Sequence, residues 1–379
     1  MSGESMQTIV NSWNEWDPLK HVIVGRTNST MVQAPEPAIE RDWPKYGFPL
    51  GTYGPLPAEM EEKANEQMED FVKILEDKGI RVDRPTPLDF SQTVQTPDWR
   101  QASMFGCMPP RDLLLIVGNE ILEATMSARS RWFEYLCYRS LLEQYYKEDP
   151  NMRWEAAPKP RLTERSYKKD YWKNFNAMSK EEQLERTKAM DWVLTEAEPL
   201  FDAADVSRLG KDLIIQRSTV TNAAGVDWLR RHFPDHRIHS VVFKEEAPSH
   251  IDATFVPLRP GLALINRQRE TLTPELEELF KKNDWQMVEC AEPAHEKKAP
   301  LSFCSVWLSL NLLILDSKTV CVEAAEIAQM EQLDKLGFNV IPVPFWDVAA
   351  FGGGLHCATA DVYREGTFED YFPKQVEGF

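Results

Sequence analysis

Apolar and polar positions along this chain follow a pattern that returns several times. Residues 58–79, AEMEEKANEQMEDFVKILEDKG, put Met60, Ala64, Met68, Phe71 and Leu75 at steps of four and three, so they line one face of a helix. Pro57 and Gly79 bracket that helix, and IRVDRP behind it reads as a strand. Residues 111–124, RDLLLIVGNEILEA, read as two apolar strands joined at Gly118-Asn119, followed by the helical stretch SRWFEYLCYRSLLEQYYK. The grammar then repeats. ADVSRLGKDLIIQRS turns near Gly210, TNAAGVDWLRRHF is a helix with Asn222 placed to cap it, and HRIHSVVF is a strand. ATFVPLRPGLALIN, TPELEELFKKN and WQMVECA repeat the order, and so do LNLLILDSKTVCVEA, AAEIAQMEQLDKLG and NVIPVPF. ATADVYREGTF reads as a last hairpin with no helix after it, which WDPLKHVIVGR, helix 58–79 and IRVDRP would complete from the other end of the chain.

The chain is therefore expected to be an α/β protein of about five ββαβ units, and fixed-period similarity of this kind marks a radial or stacked repeat. Asp202, Asp252, Ser305 and Cys357 stand just ahead of successive hairpins, at separations of 50, 53 and 52. Asp112 precedes Asp202 by 90, and the Lys-rich stretch 148–179 is read as an insertion that supplies most of the excess. Ser179 with Glu182 looks like a capping box opening its final helix. Units arranged in a ring would bring Asp112, Asp202, His250, Asp252, Ser305 and Cys357 to one centre.

Composition narrows the function. Hydrophobic content of 42% supports a substantial core, and the net charge of −17 argues against a nucleic-acid surface and suits a cationic small molecule. The polar opening, MSGESMQTIVNSWNEW, argues against a secretory signal, and the longest apolar runs, LLLIV and LNLLIL, are too short to cross a membrane. Six scattered cysteines without a CxxC read as reduced thiols, and the expected location is cytoplasmic.

FGGGLHCATADV, residues 351–362, puts Cys357 behind three glycines, where the backbone can bend sharply and a substrate can approach. A cysteine nucleophile needs a partner for protons. His250 and Asp252 in SHIDATF lie two apart, so on an extended segment both face one cavity. A metal reading of His250, Asp252 and His356 has no HExxH or Cys/His cluster behind it. Three carboxylates around a thiol suit a planar cation: two can pin a guanidinium, and the third can orient the histidine. Arg269 in NRQRE is placed to grip an α-carboxylate.

FDAADVSRLGKDLIIQRSTVTNAAGVDWLRRHF, HIDATF, WLSLNLLILD and GGGLHCATADV closely resemble the arginine amidinotransferases of the arginine:glycine type. NEWDPLKHVIVG and MPPRDLLLIVGNEILEATMSARSRWFEY resemble them too, in order over nearly the whole chain. The resemblance implies a single pentein domain over residues 1–379, a five-bladed α/β propeller. It assigns Cys357 as nucleophile, His250 as general acid/base, Asp202 as the carboxylate orienting it, and Asp112 and Asp252 as guanidinium-binding acids. Arg269, Ser305 and Cys304 match positions that hold the donor's α-carboxylate and amine, although a serine is usual at 304. Ping-pong transfer from L-arginine to an amine acceptor follows, with release of L-ornithine and no metal or organic cofactor. Relatives are often dimers, which implies a homodimer. Glycine-specific relatives carry asparagine and methionine at the positions of Ala247 and Ser249, so the small residues here imply a bulkier acceptor, as in the making of guanidinium natural products such as saxitoxin-like toxins. Glycine itself, or water in an arginine deiminase-type hydrolase, are the alternatives.

Overall fold

The computed structural model describes residues 8–39, 52–299, 301–302, 304–377 and 379. Among the described residues five three-stranded sheets share one plan: an antiparallel pair, then a third strand parallel to the middle one and reached through a helix. The first joins the two ends of the chain. Strand β1 (Leu19–Val24) pairs in parallel with β2 (Arg81–Asp83) across α1 (Ala58–Asp77), and on its other side meets the last strand, β15 (Thr359–Arg364), antiparallel. The second contains β3 (Leu114–Val117), β4 (Glu120–Glu123), α2 (Arg139–Glu148) and β5 (Arg153–Ala156). Two helices without a strand come next, α3 (Tyr171–Asn176) and α4 (Lys180–Lys188). The third sheet has β6 (Val206–Leu209), β7 (Asp212–Gln216), α5 (Ala223–His232) and β8 (Arg237–Val241). The fourth has β9 (Phe255–Arg259), β10 (Leu262–Ile265), α6 (Pro274–Lys282) and β11 (Gln286–Glu289). The fifth has β12 (Leu313–Asp316), β13 (Thr319–Glu323), α7 (Ile327–Lys335) and β14 (Asn339–Val343).

The reason lies in the local sequence. Gly118 and Gly210 sit in the hairpin turns at φ of 59° and 65°, which a side chain disfavours. Asn222 accepts a hydrogen bond from the Gly225 amide at 2.8 Å and so starts α5. The first two strands of the second and third sheets are wholly buried, whereas β5, Arg-Trp-Glu-Ala, lies along the surface.

Neighbouring sheets share apolar cores. Leu113, Leu122, Val206, Ile215 and Val362 belong to one cluster, Leu209, Leu264 and Val322 to a second, and Val22, Phe71, Leu313 and Val343 to a third. Each fully buried side chain of this size contributes about 1.5–3 kcal/mol. A polar seam runs between the first strands. Arg208 on β6 donates to the Ile116 carbonyl at 3.0 Å, to Asp361 at 2.7 Å and to both oxygens of Glu15. Arg364 reaches the Ile314 carbonyl at 2.8 Å, and Arg111 reaches Asp361 at 2.6 Å. Removing one member would strand a buried charge, at a cost of roughly 3–5 kcal/mol.

Two expectations are corrected. ATADVYREGTF is not a hairpin: it supplies the single strand β15, whose partner is β1 from the other end of the chain. The stretch 148–179 is not all insertion, because β5 lies inside it and pairs with β4 in the regular register. The added segment starts after β5 and includes α4, which lies beyond 179 and whose capping box forms: Ser179 Oγ accepts from the Glu182 amide at 3.3 Å, and Glu182 accepts from the Ser179 amide at 2.8 Å. This segment packs Leu162, Tyr167, Tyr171, Trp172, Phe175, Val193 and Leu194 into an apolar core that Ala38, Trp99 and Ala128 complete. Arg129 ties it to the second sheet through the Leu162 carbonyl at 3.0 and 2.8 Å. Among the described residues no helix is long and apolar enough to cross a membrane.

Candidate active site

A short helical turn precedes the first strand of three sheets: Pro110–Leu113, Ala203–Asp205 and Ile251–Ala253. Asp112, Asp202 and Asp252 sit in or at the start of these turns, which carry them to one cavity of about 480 Å³. His250, Arg269, Cys304, Ser305 and Cys357 line the same cavity, as do Ala247 and Ser249. All ten sequence-predicted site residues are thus brought together, at a size suited to a small molecule.

Cys357 is held from two sides. Gly353 has φ of 144°, and a Cβ there would lie 2.5 Å from the Cys357 side chain. A Cβ on Gly354 would lie 2.8 Å from Asn311 Oδ1. That oxygen accepts from the His356 and Cys357 amides at 3.0 and 3.1 Å, while Asn311 Nδ2 donates to the Cys357 sulfur at 3.1 Å. The glycines thus let the turn close against Asn311, and Asn311 fixes the sulfur. Asp252 Oδ2 is 3.5 Å from the sulfur. Burial, then Asp252 and Asp112, push the thiol well above its ordinary pKa, against the pull of Asn311.

His250 reaches the cavity from a strained backbone, φ 59° and ψ 118°, and not from the extended segment expected. The turn 251–253 that follows it, rather than a strand's alternation, brings His250 and Asp252 to the same cavity. Strain of this kind costs roughly 1–3 kcal/mol and persists where the surroundings enforce it. Here Thr219 does so, donating from its amide and hydroxyl to the Pro248 carbonyl at 2.9 and 3.0 Å. The imidazole Nε2 lies 3.1 Å from Asp202 Oδ2, and Nδ1 lies 3.5 Å from Asp112 Oδ1. Burial pulls this histidine down, but Asp112, Asp202 and Asp205 outweigh it and hold its pKa up at about 10. Burial likewise raises Asp112. Asp205, which accepts from Ser218 and Thr221 at 2.6 Å, is pushed by burial up to about 7. Asp112 Oδ1 and Asp202 Oδ1 are buried without hydrogen-bond partners among the described residues, so the site keeps acceptors to offer.

Arg269 donates to Ser305 Oγ at 3.1 Å and pairs with Glu245 at 3.0 Å. Cys304 packs with Ala299, Leu308 and Ala349, and burial pushes its thiol up to about 12. Ala247 packs against the added segment, whose Trp172, Phe175, Asn176, Lys180 and Gln183 line the same cavity.

No model of a protein family matches the sequence. Individual proteins do. Over 370 residues the chain is 41% identical to the mitochondrial glycine amidinotransferase of Xenopus tropicalis, covering 96% of this chain and 85% of that one. The chain belongs to the amidinotransferase family. A second member, the L-arginine:L-lysine amidinotransferase of Pseudomonas savastanoi pv. phaseolicola, is 37% identical and covers 96% of each chain. Among solved structures, SxtG, an amidinotransferase of Microseira wollei in the saxitoxin biosynthetic pathway, superposes with a TM-score of 0.84 at 39% identity, over 96% of this chain and 99% of that one. The fold is that of the pentein-type amidinotransferases.

Sequence reasoning missed several groups in this amidinotransferase. Asn311 lies 46 residues before Cys357, inside WLSLNLLILD, a stretch that carried the resemblance without a role for this residue. Arg131 donates to Asp112 at 2.7 Å and to Glu134 at 2.7 and 2.8 Å. Glu15 and His356 lie beneath Asp252. His356 entered the sequence reading only in the metal alternative, and its place next to the nucleophile was the signal for another role.

Proposed function

We propose that this amidinotransferase takes the amidino group of L-arginine onto Cys357 and passes it to an amine larger than glycine, releasing L-ornithine. The observation that carries this reading is the meeting of His250, Asp112, Asp202 and Asp252 around one buried thiol, with one oxygen each of Asp112 and Asp202 lacking a hydrogen-bond partner among the described residues. We read the five sheets as a closed five-bladed propeller forming one domain; their shared cores, including that of the fifth sheet with the first, support it. A homodimer belongs to the same reading and rests on the resemblance, whereas the cytoplasmic location rests on the six scattered cysteines and the polar opening of the sequence.

The guanidinium lies between Asp112 and Asp252, which offset its charge and present its planar face to the sulfur. Its positive charge cancels the two carboxylates that oppose ionisation, so Cys357 releases its proton to water as arginine binds. The thiolate forms a C–S bond to the guanidinium carbon. His250, protonated at neutral pH, gives its proton to the departing nitrogen; the C–N bond breaks and ornithine leaves. The amidino-thioether remains. An amine acceptor enters, yields a proton to the now neutral His250 and attacks the same carbon; the C–S bond breaks and the thiolate is restored. Asp202 keeps His250 oriented throughout. Arg269 and Ser305 would hold the donor carboxylate, which must share Arg269 with Glu245.

Glycine is the second reading, favoured by the 41% identity with glycine amidinotransferase. Ala247 and Ser249 argue against it, because small residues there leave room beside the sulfur. Incubation with arginine and a panel of amines decides, with ornithine, guanidino products and citrulline measured. A long-chain amine should be guanidinylated fastest. Guanidinoacetate as the main product would reject the larger acceptor, and citrulline without an acceptor would mean hydrolysis.

A further inference from the structure

A second, partly buried histidine sits beside the nucleophile, and the reaction above does not use it. His356 Nδ1 is 2.7 Å from Asp252 Oδ2, and its Nε2 is 3.5 Å from Glu15 Oε2. Glu15 is itself fixed by Arg208, at 2.8 Å to Oε1 and 2.7 Å to Oε2. The side chains of His356, Asp252 and Glu15 are 17%, 6% and 7% exposed, so the bridge is shielded from solvent. Its members come from three distant parts of the chain: the segment before β1, the turn before β9 and the glycine turn before β15. Around it, Arg111 Nε donates to the His356 carbonyl at 3.3 Å and its Nη1 lies 3.8 Å from Glu15 Oε2, Thr359 Oγ1 donates to the same carbonyl at 3.0 Å, Asn311 Oδ1 accepts from the His356 amide, and Cys357 follows in the chain.

We infer that His356 is a positioning residue: held from behind by Glu15, it fixes Asp252 Oδ2 at the Cys357 sulfur, where the guanidinium of the donor must dock. A carboxylate that has to receive a cation beside a thiol needs a set orientation, and a charge-assisted hydrogen bond supplies one. Electrostatics agree with the geometry. Burial and Arg111 pull the His356 pKa down, but Asp252 and Glu15 raise it above the ordinary value, so the two carboxylates favour the charged ring. Asp252 in turn is lowered: burial raises it, and the bond from His356, the charges of His356 and His250 and the contact with Cys357 together more than offset that. Whereas His250 contacts Asp112 and Asp202, His356 acts only through Asp252.

This inference rests on the reading of Cys357 as the amidino acceptor. The test compares wild type with His356→Leu, His356→Asn and Glu15→Gln, each checked for folding by thermal melting. Two readouts are taken across pH: amidino loading of Cys357 by L-arginine, and protection of Cys357 from iodoacetamide by guanidinium chloride. His356→Leu removes the donor to Asp252, so the KM for arginine should rise about tenfold or more, and guanidinium protection should weaken by a similar factor. The KM should rise more than kcat falls. With Asp252 no longer held down, the acid limb of kcat/KM should move to higher pH. His356→Asn keeps a donor and should fall between wild type and the leucine variant. Glu15→Gln should shift the same quantities in the same direction by less. Folded His356→Leu and Glu15→Gln proteins with wild-type KM and pH profiles would overturn the inference while leaving the transfer reading intact. A wild type neither loaded by arginine nor protected by guanidinium would overturn both.

Discussion

The cavity has two walls built on different principles. One consists of turns ahead of the first strands, repeated from sheet to sheet, and presents Asp112, Asp202, His250, Asp252 and Cys357. Three of these are locked by buried partners: Arg131 on Asp112, Thr219 behind His250, Asn311 on Cys357. The other wall comes from the segment between β5 and β6 with α3 and α4, which packs in a cluster distinct from the cores of the five sheets and reaches the cavity with Trp172, Phe175, Asn176, Lys180 and Gln183. Ala247 lies where the two meet. The first wall is positioned by the framework of the whole fold, so changes there disturb chemistry. The second can vary its lining while the chemistry stands, which is what a family with different acceptors requires.

The sharpest way to separate the walls is Cys357→Ala. It should reduce transfer on the order of 10⁴-fold or more, measured as ornithine release, while leaving the melting temperature near that of wild type. Asp202→Asn should lower the loading rate about 10²–10⁴-fold and bring down the pKa of His250, so the alkaline limb of loading moves to lower pH. The sign for stability follows. His250 is raised from 6.5 to about 10, so its charged form stabilises the fold fully below 6.5, and that contribution is lost as pH climbs through about 10. Melting curves between pH 7 and 10 should therefore fall less steeply for Asp202→Asn than for wild type.

At the junction of the walls the effect should become selective. Ala247→Asn combined with Ser249→Met should slow discharge to a long-chain amine about 10–200-fold, with loading by arginine little changed. Equal losses in both half-reactions, measured by single-turnover mass spectrometry, would dissolve the distinction between the walls. The smallest effect belongs to Ser179→Ala. Losing the capping box should cost the added segment about 1 kcal/mol by denaturant titration, without altering loading.

The same two-part construction explains what the sequence disclosed. The sheets were legible because hairpin glycines and helix caps act locally, and the spacing of 50, 53 and 52 located the turns that carry the site. Strand β5 was hidden because Arg-Trp-Glu-Ala is short and exposed, with no apolar alternation to mark it. The final strand looked like a hairpin because its partner, β1, lies at the other end of the chain. Asn311, Glu15 and Arg131 escaped notice because their roles arise from contacts between distant segments. Even the pairing of His250 with Asp252 was anticipated for a different reason from the one that operates: a left-handed residue followed by a helical turn, not an extended strand.

The central claim is that Cys357 carries the amidino group between two half-reactions. Intact-protein mass spectrometry after mixing with L-arginine alone tests it most directly. The account predicts a mass gain of one amidino group, located on Cys357 by peptide mapping, with an equal amount of ornithine released and no adduct in Cys357→Ala. An unmodified protein with citrulline accumulating in solution would contradict it.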